Sequence, residues 1–456
     1  MKYILIVCAL ILSLVACQKE GSREVVLAET PDGRPFHFMP IYEDGVTDIT
    51  ITIAWPMGWA YERENNPAVP YVAAEVILSG GTSELAPQEV MELFNDKNSR
   101  GHLYTSASHA VGELSFPKEH IEDFVSIASE MLTTPQFDPA WIGRIKQGLL
   151  TNQNTNRSQT ANQMWAVARL AVLGEGPLNN FLSLPDLTKI DTVSVDDLRR
   201  WHTETIVQNT VTISVTGAIS LEDAGNAVDK LLAALPKGQT PETPDIRPDF
   251  SPKTILLHLP NAEKTTLGFI GQLPPTSEGG DLVDLLALSF FGRQGNGPLF
   301  EAVRTDLRAS YGFHAGYTNY DRAIRIMLVT GEVETAKLAQ ATDLIRETYE
   351  TFRIAPDFTG FEALQKGMAE QTTKQVSYVN VAARTMLELA LDARDPADAP
   401  RVGDLLANVT QQEVKERLVS SFPPGDDLIV LAASPDASAL PGACIITKIE
   451  QVATCP

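Results

Sequence analysis

The sequence is short of positive charge. Its 36 Lys and Arg stand against 58 Asp and Glu, a formal net charge of −22 over 456 residues. Nucleic acid demands a basic face, so this balance argues against such a partner; it favours solubility and repels anionic headgroups. Cysteine is scarce, with four residues, and histidine nearly so, with seven. No Cys/His cluster suggests a structural metal site. His102 and His109 share a segment, but their odd spacing on an extended strand points them to opposite faces. His120, His202, His258 and His314 are scattered and fit surface or satisfied core positions. There is no Ser-His-Asp or Cys-His signature. The glycine-rich stretch 292–297 lacks the Lys-Ser/Thr pair of a phosphate loop.

What is present begins at the N-terminus. Met1-Lys2-Tyr3 is a short positive region, and residues 4–14 are apolar but far fewer than the ~20 needed to span a bilayer. The run ends in Leu14-Val15-Ala16-Cys17, which resembles the bacterial lipobox. Residues 1–16 are therefore expected to be a lipoprotein signal peptide, Cys17 a lipid anchor and 17–24 a polar tether. Gln18, not Asp, follows the anchor, which favours the outer membrane and a site facing the periplasm. Cys8 leaves with the signal. Cys444 and Cys455 remain, and in an oxidising compartment they are expected to close a short terminal loop as a disulfide, two free thiols being the alternative.

A hydrophobic content of 44% supports ordinary globular cores. Strand-like, β-branched stretches occur at 25–27, 36–39, 48–55, 104–116 and 207–215, and helix-like ones at 70–78, 87–95, 118–132 and 139–174. Residues 237–253 (KGQTPETPDIRPDFSPK) lack periodicity and are expected to link two halves, 25–236 and 254–456. The halves repeat each other. A capping-box helix opens at Ser194/Asp197 and again at Thr410/Glu413, each followed by a strand. A strand-helix unit at 111–132 has a counterpart at 324–353. The expected class is α+β, two homologous domains, each a mixed or antiparallel sheet packed with helices.

Residues 70–82 read PYVAAEVILSGGT. An inverted zinc-peptidase motif, H-x-x-E-H, places two His ligands one turn apart with a water-activating Glu between them. Glu75 falls at the Glu position, but Val72 and Val76 stand where the His residues belong, and a hydrocarbon donates no lone pair. Further on, residues 295–312 read GNGPLFEAVRTDLRASYG, a small-residue loop followed by R-x6-Y. Leu299, Phe300, Val303 and Leu307 make an apolar stripe, and a continuous helix would carry Arg304 and Tyr311 on one side, two turns apart.

Over residues 25–450 the chain resembles the insulinase/pitrilysin family, in its two-domain bacterial form related to mitochondrial processing peptidase, with a LuxS/metallohydrolase-like fold. The resemblance implies a third zinc ligand, a Glu roughly 75 residues after the motif. Between Met131 and Gly174 the only acid is Asp138, so no metal site is expected in this chain and Glu75 loses its task. It also implies that Arg304 and Tyr311 bind substrate backbone near the scissile bond, opposite a zinc held elsewhere. Some members are heterodimers in which one chain holds zinc and the other the Arg/Tyr pair. The expectation is a non-catalytic, substrate-positioning subunit beside a zinc-bearing homologous partner, acting on peptides or unfolded protein segments. A lipid-anchored scaffold and a peptide-binding protein without proteolysis remain alternatives.

Overall fold

The computed structural model describes residues 23–62, 64–176, 178–179, 187–308 and 312–456. Two six-stranded sheets dominate it. The first is built from β1 (Val26–Glu29), β2 (Pro35–Pro40), β3 (Asp48–Pro56), β4 (Arg100–Thr105), β5 (His109–Pro117) and β6 (Thr212–Gly217), in spatial order 1-2-6-3-5-4. The second uses β7 (Thr254–His258), β8 (Thr265–Leu273), β9 (Phe313–Asp321), β10 (Ile324–Val333), β11 (Ile429–Ser434) and β12 (Cys444–Ile446), in order 12-7-11-8-10-9.

With the outermost strands β1 and β12 set aside, the sheets have the same wiring. In each, one parallel pair (β2 with β6, β7 with β11) sits beside an antiparallel run (β6-β3-β5-β4, β11-β8-β10-β9). The internal repeat is thus a repeat of topology. The central strands are buried on both faces, which is why DITITIAWP and TTLGFIGQL lack exposed polar alternation.

The helices follow the same duplicated order. The first half contributes α1 (Val69–Ile77), α2 (Pro87–Asp96), α3 (Ile121–Thr133), α4 (Pro139–Arg157), α5 (Thr160–Leu173), α6 (Val195–Thr205) and α7 (Leu221–Leu232). The second contributes α8 (Asp281–Phe291), α9 (Pro298–Phe300), α10 (Leu338–Ile354), α11 (Phe361–Val376), α12 (Val379–Leu391), α13 (Val402–Ala407) and α14 (Gln411–Ser421). The capping boxes form as expected: Ser194 Oγ accepts from the Asp197 amide, and Thr410 Oγ1 accepts from the Glu413 amide. Each cap contributes about 1 kcal/mol to its helix start.

Two helices are exchanged between the halves. Helix α12 lies on β3 and β6 of the first sheet, where Leu387 joins Ala54 and Val111, and Ala382 and Met386 join Met39 and Ile41. Reciprocally, α5 lies on β8 and β11 of the second sheet. Gly268 on β8 lets that approach be close, because a Cβ there would meet Met164 Cε of α5 at 2.8 Å and push the methionine side chain aside. The exchange makes the largest core continuous across both halves, joining Met164 and Val167 to Ile255, Ile270 and Leu431. Residues 237–253 carry no helix or strand, yet they are tied down: the Asp249 amide donates to Val172 O (2.8 Å), and Ile246 and Phe250 pack on the core.

Some expected elements differ. The stretch 104–116 is a hairpin, β4–turn–β5, closed where the Ser106 amide donates to His109 O (2.8 Å). The small residues Ser106, Ala107 and Ser108 supply the turn. His102 and His109 therefore belong to different strands. Only the second part of 207–215 is strand, since Trp55 Nε1 takes Val207 O as its acceptor (2.9 Å) instead of a ladder partner.

The structure joins Cys444 on β12 to Cys455 just past the terminal turn, Ile449–Thr454. The bridge spans 11 residues, for which chain-entropy arguments give about 3 kcal/mol. Cys444→Ser is expected to lower the urea midpoint accordingly, and reductant should do the same to the wild type but not to the variant. An unchanged midpoint in both would deny the bridge a stabilising role.

Candidate substrate-binding site

Helix α1 starts with Pro70 in its first turn, where a missing N–H costs nothing, and the Asn66 side chain accepts from the Ala68 amide just ahead of it (3.0 Å). It ends at Leu78, and the chain turns through Gly81, whose φ of +88° suits glycine. Val72 and Val76, at the two ligand positions, are both 0% exposed and packed in the main core. Glu75 points outward and is exposed, its carbonyl accepting from Ser79 Oγ. The residues present do not fit a zinc ion: two hydrocarbons fill the core side, and the lone carboxylate faces the other way. Among the described residues no three His, Cys, Asp or Glu side chains gather as a metal cage.

The second-half site departs from the helix expected there. Pro298 opens α9, with Gly297 before it, and Glu301–Asp306 continues as a π-helical turn in which the Leu307 amide reaches Ala302 O (3.1 Å). The wider turn rotates the buried side, so Leu299, Ala302 and Val303 face the core while Phe300 is only half-buried. The helix then stops. Arg308 takes a left-handed conformation (φ +52°), and Lys337 Nζ caps its carbonyl (2.9 Å). Arg304 is exposed on the π turn. Tyr311, like Cys17, lies outside the described residues. The helix that carries Arg304 ends before Arg308, so the uninterrupted helix expected from Pro298 onward is not formed over the described residues. π turns recur at functional sites, where they re-aim a side chain.

Residues 192–367 match the family model for the peptidase M16 inactive domain. A Helicobacter pylori protein described as a non-peptidase homologue, YmxG, is 22% identical over 194 residues, 42% of this chain and 44% of that protein. The match therefore spans less than half the length of that relative. Over residues 192–367 the chain is thus similar to the M16 inactive domain, and the two His positions of the motif in its first half are held by Val72 and Val76. Among solved structures, an M16 inactive domain from Pseudomonas fluorescens superposes with a TM-score of 0.79 at 17% identity, covering 90% of this chain and 98% of that one. The first half of the periplasmic protease PqqL from Escherichia coli gives 0.70 at 13% identity, covering 94% and 96%, and the chain covers 50% of the whole of PqqL. At such identities these likenesses establish a shared M16-type fold.

A polar seam runs between α12 and the first sheet of this M16-like fold, and none of it was evident in the sequence. Arg384 Nη2 donates to the buried Glu113 (2.5 Å), and Arg322 donates to Glu388 (2.8 Å) and Asp392 (2.5 Å). Tyr61 Oη donates to Asp321 (3.0 Å), tying the segment before α1 to the end of β9. His109 lies beside this seam with Nδ1 2.8 Å from Ser108 Oγ. Burial, and then the Arg322 charge, push its pKa down to about 4, with Asp321 opposing. The unfolded chain therefore binds a proton that the folded chain refuses between about pH 6.5 and 4. Stability from this group is complete above pH 6.5 and is lost as pH falls through that window, by about 2–3 kcal/mol. His109→Gln should unfold with a flatter pH dependence than wild type between pH 7 and 4.5; parallel curves would assign the acid sensitivity elsewhere.

Proposed function

We propose that this chain is the substrate-positioning subunit of a heterodimeric periplasmic zinc metallopeptidase that hydrolyses peptides or unfolded protein segments. The observation that carries the reading is an asymmetry between the halves. In the first half, the positions that would ligate zinc have become core hydrocarbon. In the second half, Arg304 remains exposed on a re-aimed turn that core packing does not require. Correspondence to one half of a double-length protease adds support: a chain of this size is one of two modules around a chamber. Arg304 and Tyr311 act there as donors to a peptide carbonyl, whose developing negative charge needs preorganised hydrogen bonds. The zinc belongs to the partner, and this chain contributes binding and orientation.

Purification of the tagged lipoprotein from envelopes, with identification of co-purifying chains, tests the reading. A homologous partner bearing intact H-x-x-E-H is expected. Recovery of the chain alone from active envelopes would favour the scaffold or the peptide-binding protein. The lipid anchor has its own test: Cys17→Ser should move the protein from the outer-membrane fraction to the soluble periplasm, and wild type lacking an acyl group on Cys17 would refute the anchor.

A further inference from the structure

The fold contains two equivalent seams, one under each exchanged helix, and their charges are handled differently. Under α12, Arg384 and Arg322 each meet carboxylates. Under α5, Arg169 meets none. It is set in the apolar run MWAVARLAVL, only partly exposed, and makes no ion pair among the described residues. Its Nε is fully buried and has no hydrogen-bond partner. Two phenols face it, Tyr71 from α1 and Tyr320 from β9, and among the described residues no acid or second base lies within electrostatic reach. Burial lowers its hold on its proton. Tyr320 is 7% exposed, and its hydroxyl is also buried without a partner. Buried polar groups are nearly always paired, and an unpaired guanidinium is among the costliest exceptions.

We propose that Arg169 and Tyr320 form a carboxylate-binding pocket in the α5 seam, which takes a carboxylate of a bound peptide. The planar guanidinium fork matches a carboxylate, and the Tyr320 hydroxyl supplies a further donor. One cation with no second base nearby balances a monoanion, not a phosphate dianion. Arg169 keeps enough exposure for a ligand to reach its guanidinium, and its Nε and the Tyr320 hydroxyl are the buried donors left without a partner. The pocket lies beside Tyr71, the residue preceding Val72 on the degenerate motif helix. It adds to the Arg304/Tyr311 region a second point that fixes where a peptide sits. This rests on the reading that the chain handles peptides, but not on a zinc-bearing partner.

The test is calorimetric titration of the isolated full chain with three probes: N-acetyl-Leu-Leu-Leu free acid, the same peptide as its amide, and N-acetyl-Leu-Glu-Leu amide. The free acid should bind about 10–100-fold more tightly than the neutral amide, the span expected for hydrogen bonds to a charged group. Tight binding of the Glu-containing amide as well would identify a side-chain carboxylate as an accepted source. Arg169→Met and Tyr320→Phe should each shrink the preference, and Arg169→Met should leave the empty chain at least as resistant to urea as wild type. The pocket is refuted if wild type binds the three probes equally or not at all, or if Arg169→Met keeps the acid preference. A marked loss of stability in Arg169→Met would also refute it, since Arg169 would then already be satisfied within the fold. Failure here leaves proteolysis by a complex untouched, and failure of proteolysis leaves these affinities measurable.

Discussion

Arg304→Ala and Tyr311→Phe are each expected to lower kcat of the assembled complex by about 10²–10³, the loss typical of removing one donor aimed at a developing oxyanion. Assembly should be unaffected, because Arg304 is an exposed side chain on a turn whose fold depends on Leu299, Ala302 and Val303. A donor used mainly in the transition state lowers kcat and kcat/KM together; one that only anchors the ground state raises KM. Arg308→Ala is the control. It carries the same charge four residues on, but past the end of the helix, where its carbonyl rather than its guanidinium is engaged by Lys337. Equal rates for all variants in a complex whose assembly is verified by sizing would make the chain a scaffold.

The second large effect concerns the second half's core. Asp284 of α8 is completely buried between two arginines: Arg325 Nη1 donates to Oδ2 (2.6 Å), and Arg417 donates to Oδ1 through Nε (2.8 Å) and to Oδ2 through Nη2 (3.0 Å). Arg325 is also completely buried, with its guanidinium carbon 3.9 Å from the Tyr317 ring centroid. Asp284→Asn strands a charge in the core and is expected to cost about 3–5 kcal/mol. The double variant Asp284→Leu/Arg325→Met should recover part of that loss, because it removes the fully buried guanidinium and leaves only Arg417, which is partly exposed. Urea unfolding of the two variants decides it. A double variant no more stable than Asp284→Asn would mean that the ion pair itself stabilises the fold.

How far the sequence was legible depended on whether the relevant signal was local. The capping boxes at Ser194 and Thr410, the buried strand at 48–56 and the emptied ligand positions Val72 and Val76 were all evident, because each depends on residues within a few positions. The repeat of the halves was visible for the same reason. The helix from Pro298 was misread as uninterrupted: periodicity favours that, but a π turn and a left-handed Arg308 end it, and neither has a composition signature. Taking 104–116 as one strand missed a turn made of Ser and Ala instead of Gly, Pro or Asn. The exchange of α5 and α12 is a tertiary fact with no local trace. The nearest clues were Gly268 inside an apolar strand, where another segment comes close, and Arg169 alone in an apolar helix. The seam around His109, Arg322 and Glu388 joins residues from three distant stretches, beyond the reach of any spacing rule.

Shared catalysis is tested most directly by the zinc content of the full-length chain after dialysis, alone and in the isolated complex, with peptide hydrolysis followed before and after chelation. The chain alone should hold no stoichiometric zinc and cleave nothing, and the complex should hold one zinc per pair and lose its activity to chelator. A chain that alone retains one zinc and hydrolyses peptides until chelated would contradict the division of labour.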